Sequence, residues 1–466
     1  MKKYDQYKRL IKFVFSFNAV FFVVAIYWFV WNGYYNKIIE RPFWRKGNWL
    51  MVTLYASLLI FFYRTYGGFK IAYLKKGNLI WSQILSIIFV NVITYTQISL
   101  IDMKLHPVYP MFLMSCGEFI VVVLWANVFQ LIYKRLFPPK KMLLVYGDRP
   151  AFHLREKINS REDKYYLAGA VHISEGAEEI VKQVEAYDAV IIGDVPAHER
   201  NQLMKECFER SVRTYTVPKI SDILLRTSSD LDIFDSPLYL SRNEGMQIEQ
   251  RLMKRLCDVV LSALGLIVTS PFFAVIALMI KCTDGGPVFY RQERLTEGRR
   301  VFNICKFRTM IQDAEKYTGA RLAGENDPRI LPVGRFLRRT RLDELPQLWN
   351  ILKGDMSLVG PRPERPELAE EIEKEIPEFA YRLKVKAGLT GYAQVYGKYN
   401  TTSYDKLKLD LTYIRKYSFF LDLKMILLTP KIMFMKESAE GVKEETNEAL
   451  ESNWESEKRK YYENQK

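Results

Sequence analysis

The sequence predicts a three-part membrane protein. It has an α-helical N-terminal bundle of four spans, a soluble Rossmann-like α/β middle domain, and a mainly α monotopic module with a re-entrant membrane helix. Three observations lead there. Residues 1–140 contain four apolar stretches of spanning length, and residues 141–225 alternate short apolar runs with helical patterns. A fifth apolar run, Val259 to Ile280, is interrupted in its middle by Ser270-Pro271. The expected boundaries are 1–140, 141–250 and 251–436, with a charged tail over 437–466.

The four stretches run roughly Ile11–Trp31, Trp49–Tyr66, Leu79–Ile101 and Met111–Leu131. Each approaches the ~20 residues that cross a hydrocarbon core. Trp28, Trp31, Trp49, Tyr63 and Tyr66 lie near their ends, where interfacial aromatics belong. Lys2, Lys3, Lys8, Arg9 and Lys12 favour a cytoplasmic N-terminus, and Lys134, Arg135, Lys140 and Lys141 a cytoplasmic exit. Lys37, Arg41, Arg45 and Lys46 in the first loop oppose that assignment.

The net charge of +15 is uneven: +13 over 1–140, −5 over 141–250, +11 over 251–436 and −4 over 437–466. Both basic blocks coincide with apolar blocks, the pattern of a protein facing an anionic leaflet. Nucleic-acid binding would not explain the apolar runs and is set aside. Five cysteines without ligand spacing argue against disulfides and structural zinc.

In the middle domain, Met142–Tyr146, Tyr166–Val171, Ala189–Gly193 and Arg213–Val217 read as strands, with helices over Ala177–Ala186 and Ala197–Glu209. The first turn, Gly147-Asp148-Arg149-Pro150, has one glycine where a dinucleotide site needs G-x-G-x-x-G, so nicotinamide chemistry is not expected.

The fifth run is flanked by Arg251, Lys254 and Arg255 before it and Lys281 after it. Pro271 removes a helical N–H, and Ser270 can satisfy a freed group. These facts fit a helix-break-helix over 252–281 that enters and leaves by one leaflet; a kinked spanning helix is the alternative.

Residues 285–365 are rich in Arg, Gly and Pro. In Phe302–Met310, Lys306 and Arg308 are two apart and would share one face of a strand, suited to a diphosphate. Asp343 and Glu344 follow Arg335, Arg338, Arg339 and Arg341. Thr340 can cap a helix there, or Pro346 can occupy its first turn. Either places Asp343 near a helix N-terminus, whose dipole would lower its pKa. Adjacent helical residues diverge by about 100°, so the two carboxylates should have separate roles. Arg362, fixed between Pro361 and Pro363, offers a rigid fork to a phosphate.

Taken in order, Lys254-Arg255 with Asp258, Ser270-Pro271, Lys306-Phe307-Arg308-Thr309-Met310, Leu342–Leu348 and Gly360-Pro361-Arg362-Pro363 closely resemble the bacterial sugar transferase family. That family comprises the monotopic polyprenol-phosphate phosphoglycosyl transferases. The whole chain resembles its long form, the undecaprenyl-phosphate glucose or galactose phosphotransferases. The resemblance implies transfer of a sugar-1-phosphate from a UDP-sugar to undecaprenyl phosphate with Mg²⁺. This would be the first membrane step of exopolysaccharide, capsule or O-antigen assembly in a bacterial inner membrane. By the same resemblance Asp343 is the nucleophile and a metal ligand, and Glu344 assists. Arg338 and Arg362 bind phosphates, helped by Lys306 and Arg308, and the long form points to a homodimer. One departure stands out. The family's Arg-Pro-Gly-x-Thr-Gly-Trp reads Lys386-Ala387-Gly388-Leu389-Thr390-Gly391-Tyr392, so a planar arginine fork is missing there.

Downstream, Tyr404–Met435 fits either interfacial amphipathic helices or a packed core. A nucleotide-sugar dehydratase or epimerase would need the missing glycine fingerprint. A non-catalytic scaffold or sensor of a polysaccharide assembly system would not need the carboxylate pair or the arginines.

Overall fold

The computed structural model describes residues 5–147, 152–231, 235–236, 238–241, 245–312, 327–397 and 401–433. They form two compact units, Met1–Lys219 and Ile220–Lys466.

The first unit opens with α1 (Lys8–Val30), which continues through a π-helical turn to Ile38. Next come α2 (Lys46–Tyr66), α3 (Lys76–Ile101) and α4 (Tyr109–Leu136). All four are long and apolar enough to cross a membrane. They pack as α2 on α3, α3 on α4 and α4 on α1. Large side chains such as Phe13, Phe17, Leu113 and Leu124 point outward and exposed, as lipid-facing residues do. Inside, Glu118 accepts from Tyr55 Oη and from Asn91 Nδ2, both at 2.7 Å, so a carboxylate in an apolar bundle is fully hydrogen-bonded.

A four-stranded parallel sheet follows: β1 (Lys140–Tyr146), β2 (Tyr165–His172), β3 (Ala189–Ile192) and β4 (Arg213–Thr216), in the order β2-β1-β3-β4. Its helices are α5 (Phe152–Asn159), α6 (Ala177–Val184) and α7 (Ala197–Glu209). Leu143, Val145, Val190 and Ile192 pack with Ile180, Val184 and Leu203 on one face; Met142, Leu144, Ala189 and Ile191 pack with Ile158 on the other. Burial on both faces explains why these strands read as unbroken apolar runs. The turn residues Asp148, Arg149 and Pro150 lie outside the described residues, as does the 437–466 tail.

The second unit begins earlier than expected. Ile223, in α8 (Ile220–Arg226), packs against Phe379, Leu407 and Leu411, so residues from 220 onward join this core instead of the sheet. A small hairpin, β5 (Ser229–Leu231) with β6 (Leu238–Leu240), leads to α9 (Ile248–Asp284). The expected break at Ser270-Pro271 is absent: α9 is one helix of 37 residues with Pro271 inside it. Thr269 and Ser270 turn their hydroxyls back onto the carbonyls of Gly265 and Ile267, which binds the backbone locally where the proline removes a donor.

Both ends of α9 are held by the same unit. Lys254 donates to Asp422 at 2.6 Å, Arg255 donates to the carbonyls of Ile351 and Leu352, and Asp258 accepts from Ser357. At the far end Ile276 and Ile280 pack with Phe307 and Leu337, and Asp284 pairs with Arg308. Leu266 and Phe273 also pack on this unit. The stretch between them rises only about 10 Å, and Ile267, Val268 and Phe272 there are exposed.

After α9 come the antiparallel hairpin β7 (Phe289–Leu295) and β8 (Val301–Phe307), then α10 (Pro332–Thr340) and α11 (Gln347–Lys353). Strand β9 (Ser357–Val359), α12 (Pro366–Glu375) and β10 (Gly388–Thr390) follow, with β9 and β10 paired in parallel. Helices α13 (Tyr392–Tyr396), α14 (Ser403–Arg415) and α15 (Phe419–Met433) complete the described unit. Leu407, Leu411, Tyr413, Met425 and Leu428 are buried, so α14 and α15 contribute core, while Phe419 and Phe420 are exposed.

Candidate active site

The carboxylate pair sits in a 3-10 turn, Leu342–Glu344, wedged between α10 and α11. Arg341 makes the reversal with φ of 58°, a left-handed backbone unusual for arginine. Gly334 lets α10 approach closely: a Cβ there would lie 2.1 Å from the carbonyl oxygen of Thr309. The expected Thr340 cap is not formed, and Pro346 falls within one position of the first turn it was expected to occupy. Thr340 closes α10, donating to Phe336 O at 2.8 Å, while Pro346 stands at the N-cap of α11.

Asp343 and Glu344 are both buried, yet their surroundings differ. Three cations meet at Glu344 Oε1: Arg362 at 3.2 Å, Lys306 at 3.5 Å and Arg341 at 3.6 Å. Burial alone would raise Glu344, but Arg362, Lys306 and Arg341 together outweigh it and hold its pKa down to about 2. Asp343 Oδ1 is buried and accepts no hydrogen bond from the described residues. Burial first, and the neighbouring Glu344 charge second, push Asp343 up to about 6 against the pull of Lys306, Arg341 and Arg338. The lowered value expected from a helix dipole is therefore corrected: desolvation of a buried carboxylate exceeds what one short helix can supply.

The two cations of the β8 segment part company. Lys306 lies on the strand and faces Glu344. Arg308 lies beyond the strand's last residue, Phe307, and the alternation no longer applies. Its guanidinium makes a two-pronged pair with Asp284, one contact at 2.7 Å, which ties down the end of α9. Arg338 donates to Thr309 Oγ1 at 2.9 Å and lies close enough to Asp343 to act on its charge. Arg362 joins the dyad directly. Ser270 and Pro271 lie in the exposed middle of α9.

Two supporting residues, Asn350 and Arg382, gave no sequence signal. Asn350, buried on α11, accepts from Cys305 N–H and donates to Asn303 O, fastening β8 to the dyad's helix. Gly360 and Gly388 pass so closely that a Cβ on Gly388 would lie 2.0 Å from Gly360 N. This clasp fixes the loop into Pro361-Arg362-Pro363. Arg382 donates to Arg362 O at 2.9 Å and pairs with Asp410 at 2.8 Å. Lys386 lies instead among Arg255, Glu297, Asp258 and Arg300, so its side chain is not among the groups that meet at the dyad.

Among the described residues no three His, Cys, Asp or Glu side chains converge on a common point. Mg²⁺ does not require that: it binds through one or two carboxylates plus substrate phosphates. The unpartnered Asp343 oxygen fits such a ligand set.

Comparison with known proteins shows the family. A family model described as "Bacterial sugar transferase" matches residues 249–436. The chain is 32% identical over 330 residues to a UDP-N-acetylgalactosamine-undecaprenyl-phosphate N-acetylgalactosaminephosphotransferase of Aeromonas hydrophila, covering 67% of this chain and 71% of that protein. It is 41% identical to an undecaprenyl-phosphate glucose phosphotransferase of Komagataeibacter xylinus, over 63% of this chain and 58% of the relative. An undecaprenyl-phosphate galactose phosphotransferase of Salmonella typhimurium is 34% identical, over 56% and 60% respectively. The chain thus spans more than two thirds of the first of these and somewhat less of the other two.

Proposed function

Because this chain belongs to the bacterial sugar transferase family, we propose that it transfers a sugar-1-phosphate from a UDP-hexose to undecaprenyl phosphate. The products are the polyprenyl-diphosphate-sugar and UMP. The names of its relatives support the substrate classes; glucose or galactose is the sugar proposed. One observation bears on the mechanism above the rest: Asp343 keeps a buried oxygen without a donor while Glu344, one residue on, is engaged by three cations.

That asymmetry supports a covalent route. A carboxylate nucleophile needs an open lone pair, and a pKa near 6 leaves Asp343 ionised at neutral pH yet more basic than an ordinary aspartate. Asp343 attacks the sugar-bearing phosphorus, the phosphorus–oxygen bond to UMP breaks, and UMP departs with that electron pair. An oxygen of undecaprenyl phosphate then attacks the same phosphorus and releases the Asp343 carboxylate. Glu344, fixed as an anion, keeps Lys306, Arg341 and Arg362 gathered at the site. With Arg338 they offset charge on the transferring group. Asp343 is the residue that would hold Mg²⁺, and the bound ion would supply further screening of that charge.

A re-entrant α9 belongs to the same proposal. α9 is itself long and apolar enough to cross a membrane, but both of its ends pack on one unit, which supports a helix that kinks at Pro271 and returns to one leaflet over a straight crossing. The dyad then works at the cytoplasmic face of the bacterial inner membrane, where a lipid phosphate and a soluble nucleotide meet. A homodimer, as in the family's long form, completes the proposal. Incubation with the UDP-sugar alone, followed by quench and mass spectrometry, tests the route. A phosphosugar adduct on Asp343 is expected, and its absence in a quenched reaction that still releases UMP would reject covalent transfer.

A further inference from the structure

One cation of the site has no role in this scheme. Arg294 lies on β7, opposite Phe302 of β8, while Tyr290 lies opposite Lys306. By strand alternation Arg294 therefore shares a hairpin face with Lys306. Its guanidinium donates to Pro363 O at 3.2 Å, immediately after Arg362, and to Gln292 Oε1 at 2.6 Å. Its Nε is buried and has no acceptor among the described residues. Arg362 and Arg365 lie close enough to repel it, with Glu364 as the opposing anion. A half-buried guanidinium, crowded by like charge and short of an acceptor, is a group the fold leaves unbalanced.

We propose that Arg294 binds the phosphate that leaves with the nucleoside, acting beside Arg362 on the side of the site remote from Asp343. This rests on the transferase reading above. In-line displacement puts the departing oxygen opposite the attacking one, so the leaving phosphate lies away from Asp343. The cations acting most strongly on Asp343 are Lys306, Arg341 and Arg338, the group suited to the transferred phosphate. Arg294 acts on Lys306 and Arg362 instead, which sets it one step further out. The second half-reaction is in line at the same phosphorus, so the phosphate of undecaprenyl phosphate enters from the side UMP left and meets Arg294 there as well.

The test uses the full chain in lipid vesicles as wild type, Arg294→Gln, Arg294→Lys and Arg291→Gln. Arg291 is opposite Cys305 on the other face of the hairpin and serves as the control. UMP binding is measured by equilibrium dialysis. Discharge of a preformed phosphosugar adduct to undecaprenyl phosphate is measured separately. Arg294→Gln is expected to weaken UMP binding by roughly 10- to 100-fold, as for loss of a charged hydrogen bond, and to raise the half-saturating donor concentration in parallel. Adduct discharge, which brings a phosphate to the same side, should slow as well, Arg294→Lys should recover part of both, and Arg291→Gln should match wild type. Unchanged UMP binding in Arg294→Gln overturns the assignment. So does a loss of UMP affinity that Arg294→Lys fails to recover in any part while the melting midpoint falls, which would make Arg294 a structural residue. Absence of any wild-type adduct would instead reject the covalent route, and UMP affinity would still decide the role of Arg294.

Discussion

Replacing Glu344 by Gln tests the electrostatics of the dyad most directly. Asp343 stands at about 6 against an ordinary 3.8, a gap worth about 3 kcal/mol between its charged and neutral forms. Burial is the larger cause and survives the substitution; the Glu344 charge is the second and does not. The change also frees Lys306, Arg341 and Arg362 to act on Asp343, in the same direction. The Asp343 midpoint should therefore fall by about one pH unit, stopping short of its ordinary value. Since the ionised form attacks, the rate of UMP release rises through that midpoint as pH increases. With midpoints near 6 and 5, wild type is about 10% ionised at pH 5 and the variant about half, while both are ionised at pH 7. At pH 7, where both are ionised, the variant is slower because its Asp343 is the weaker base. Its rate relative to wild type should nevertheless climb about fivefold from pH 7 to pH 5. Single-turnover UMP release with membrane-embedded protein measures this. A flat or falling ratio would refute the claim that Glu344 raises Asp343.

Other expectations are simpler to read. Asp343→Asn should abolish both UMP release and lipid product, and near-normal turnover would reject the nucleophile assignment. Arg308→Gln should lower the melting midpoint, because Asp284 loses its partner, while the half-saturating UDP-sugar concentration stays at the wild-type value. Asn350→Ala removes two part-buried hydrogen bonds, from the Cys305 N–H and to the Asn303 carbonyl, and should destabilise the fold by about 1–3 kcal/mol, or about 0.5–1.5 for each, measured by thermal unfolding in detergent. Cysteines placed at Arg251 and at Lys281 should react with an impermeant reagent only from the cytoplasmic side; labelling of Lys281→Cys from outside would reject re-entrance.

Elements with strong periodicity were legible in the sequence. The four apolar helices fall within a few residues of the expected stretches, with ends extended by polar turns that a hydropathy reading trims. The parallel strands were legible because both of their faces are buried, so each run is unbroken. The helix break was overread: a proline predicts a missing hydrogen bond, but not how far neighbouring hydroxyls can compensate. Arg308 stands apart from Lys306 because alternation holds only inside a strand, and the strand stops one residue before it. Asn350, Arg382 and Arg294 were invisible for a different reason. Each acts on a segment distant in the chain, and no local pattern encodes which carbonyl a side chain will reach.

The geometry also bears on why the two carboxylates are adjacent. A lone buried aspartate among Lys306, Arg338, Arg341 and Arg362 would be held as a weak, fully neutralised base. Glu344 draws three of those four cations to its own oxygen. Asp343 is thereby left with a higher pKa and an open lone pair, yet the positive charge stays within reach of an incoming diphosphate. Separating the residues by even one more position would rotate Glu344 by about another 120° in a 3-10 turn. The cations would then follow Glu344 away from the reacting phosphorus or collapse onto Asp343. Moving the glutamate, as in a Glu344→Ala/Leu345→Glu double variant, should on this reasoning cost more adduct formation than Glu344→Gln alone, although the charge count is higher. Equal or better adduct formation in the double variant would mean that total charge, and not its placement, governs the nucleophile.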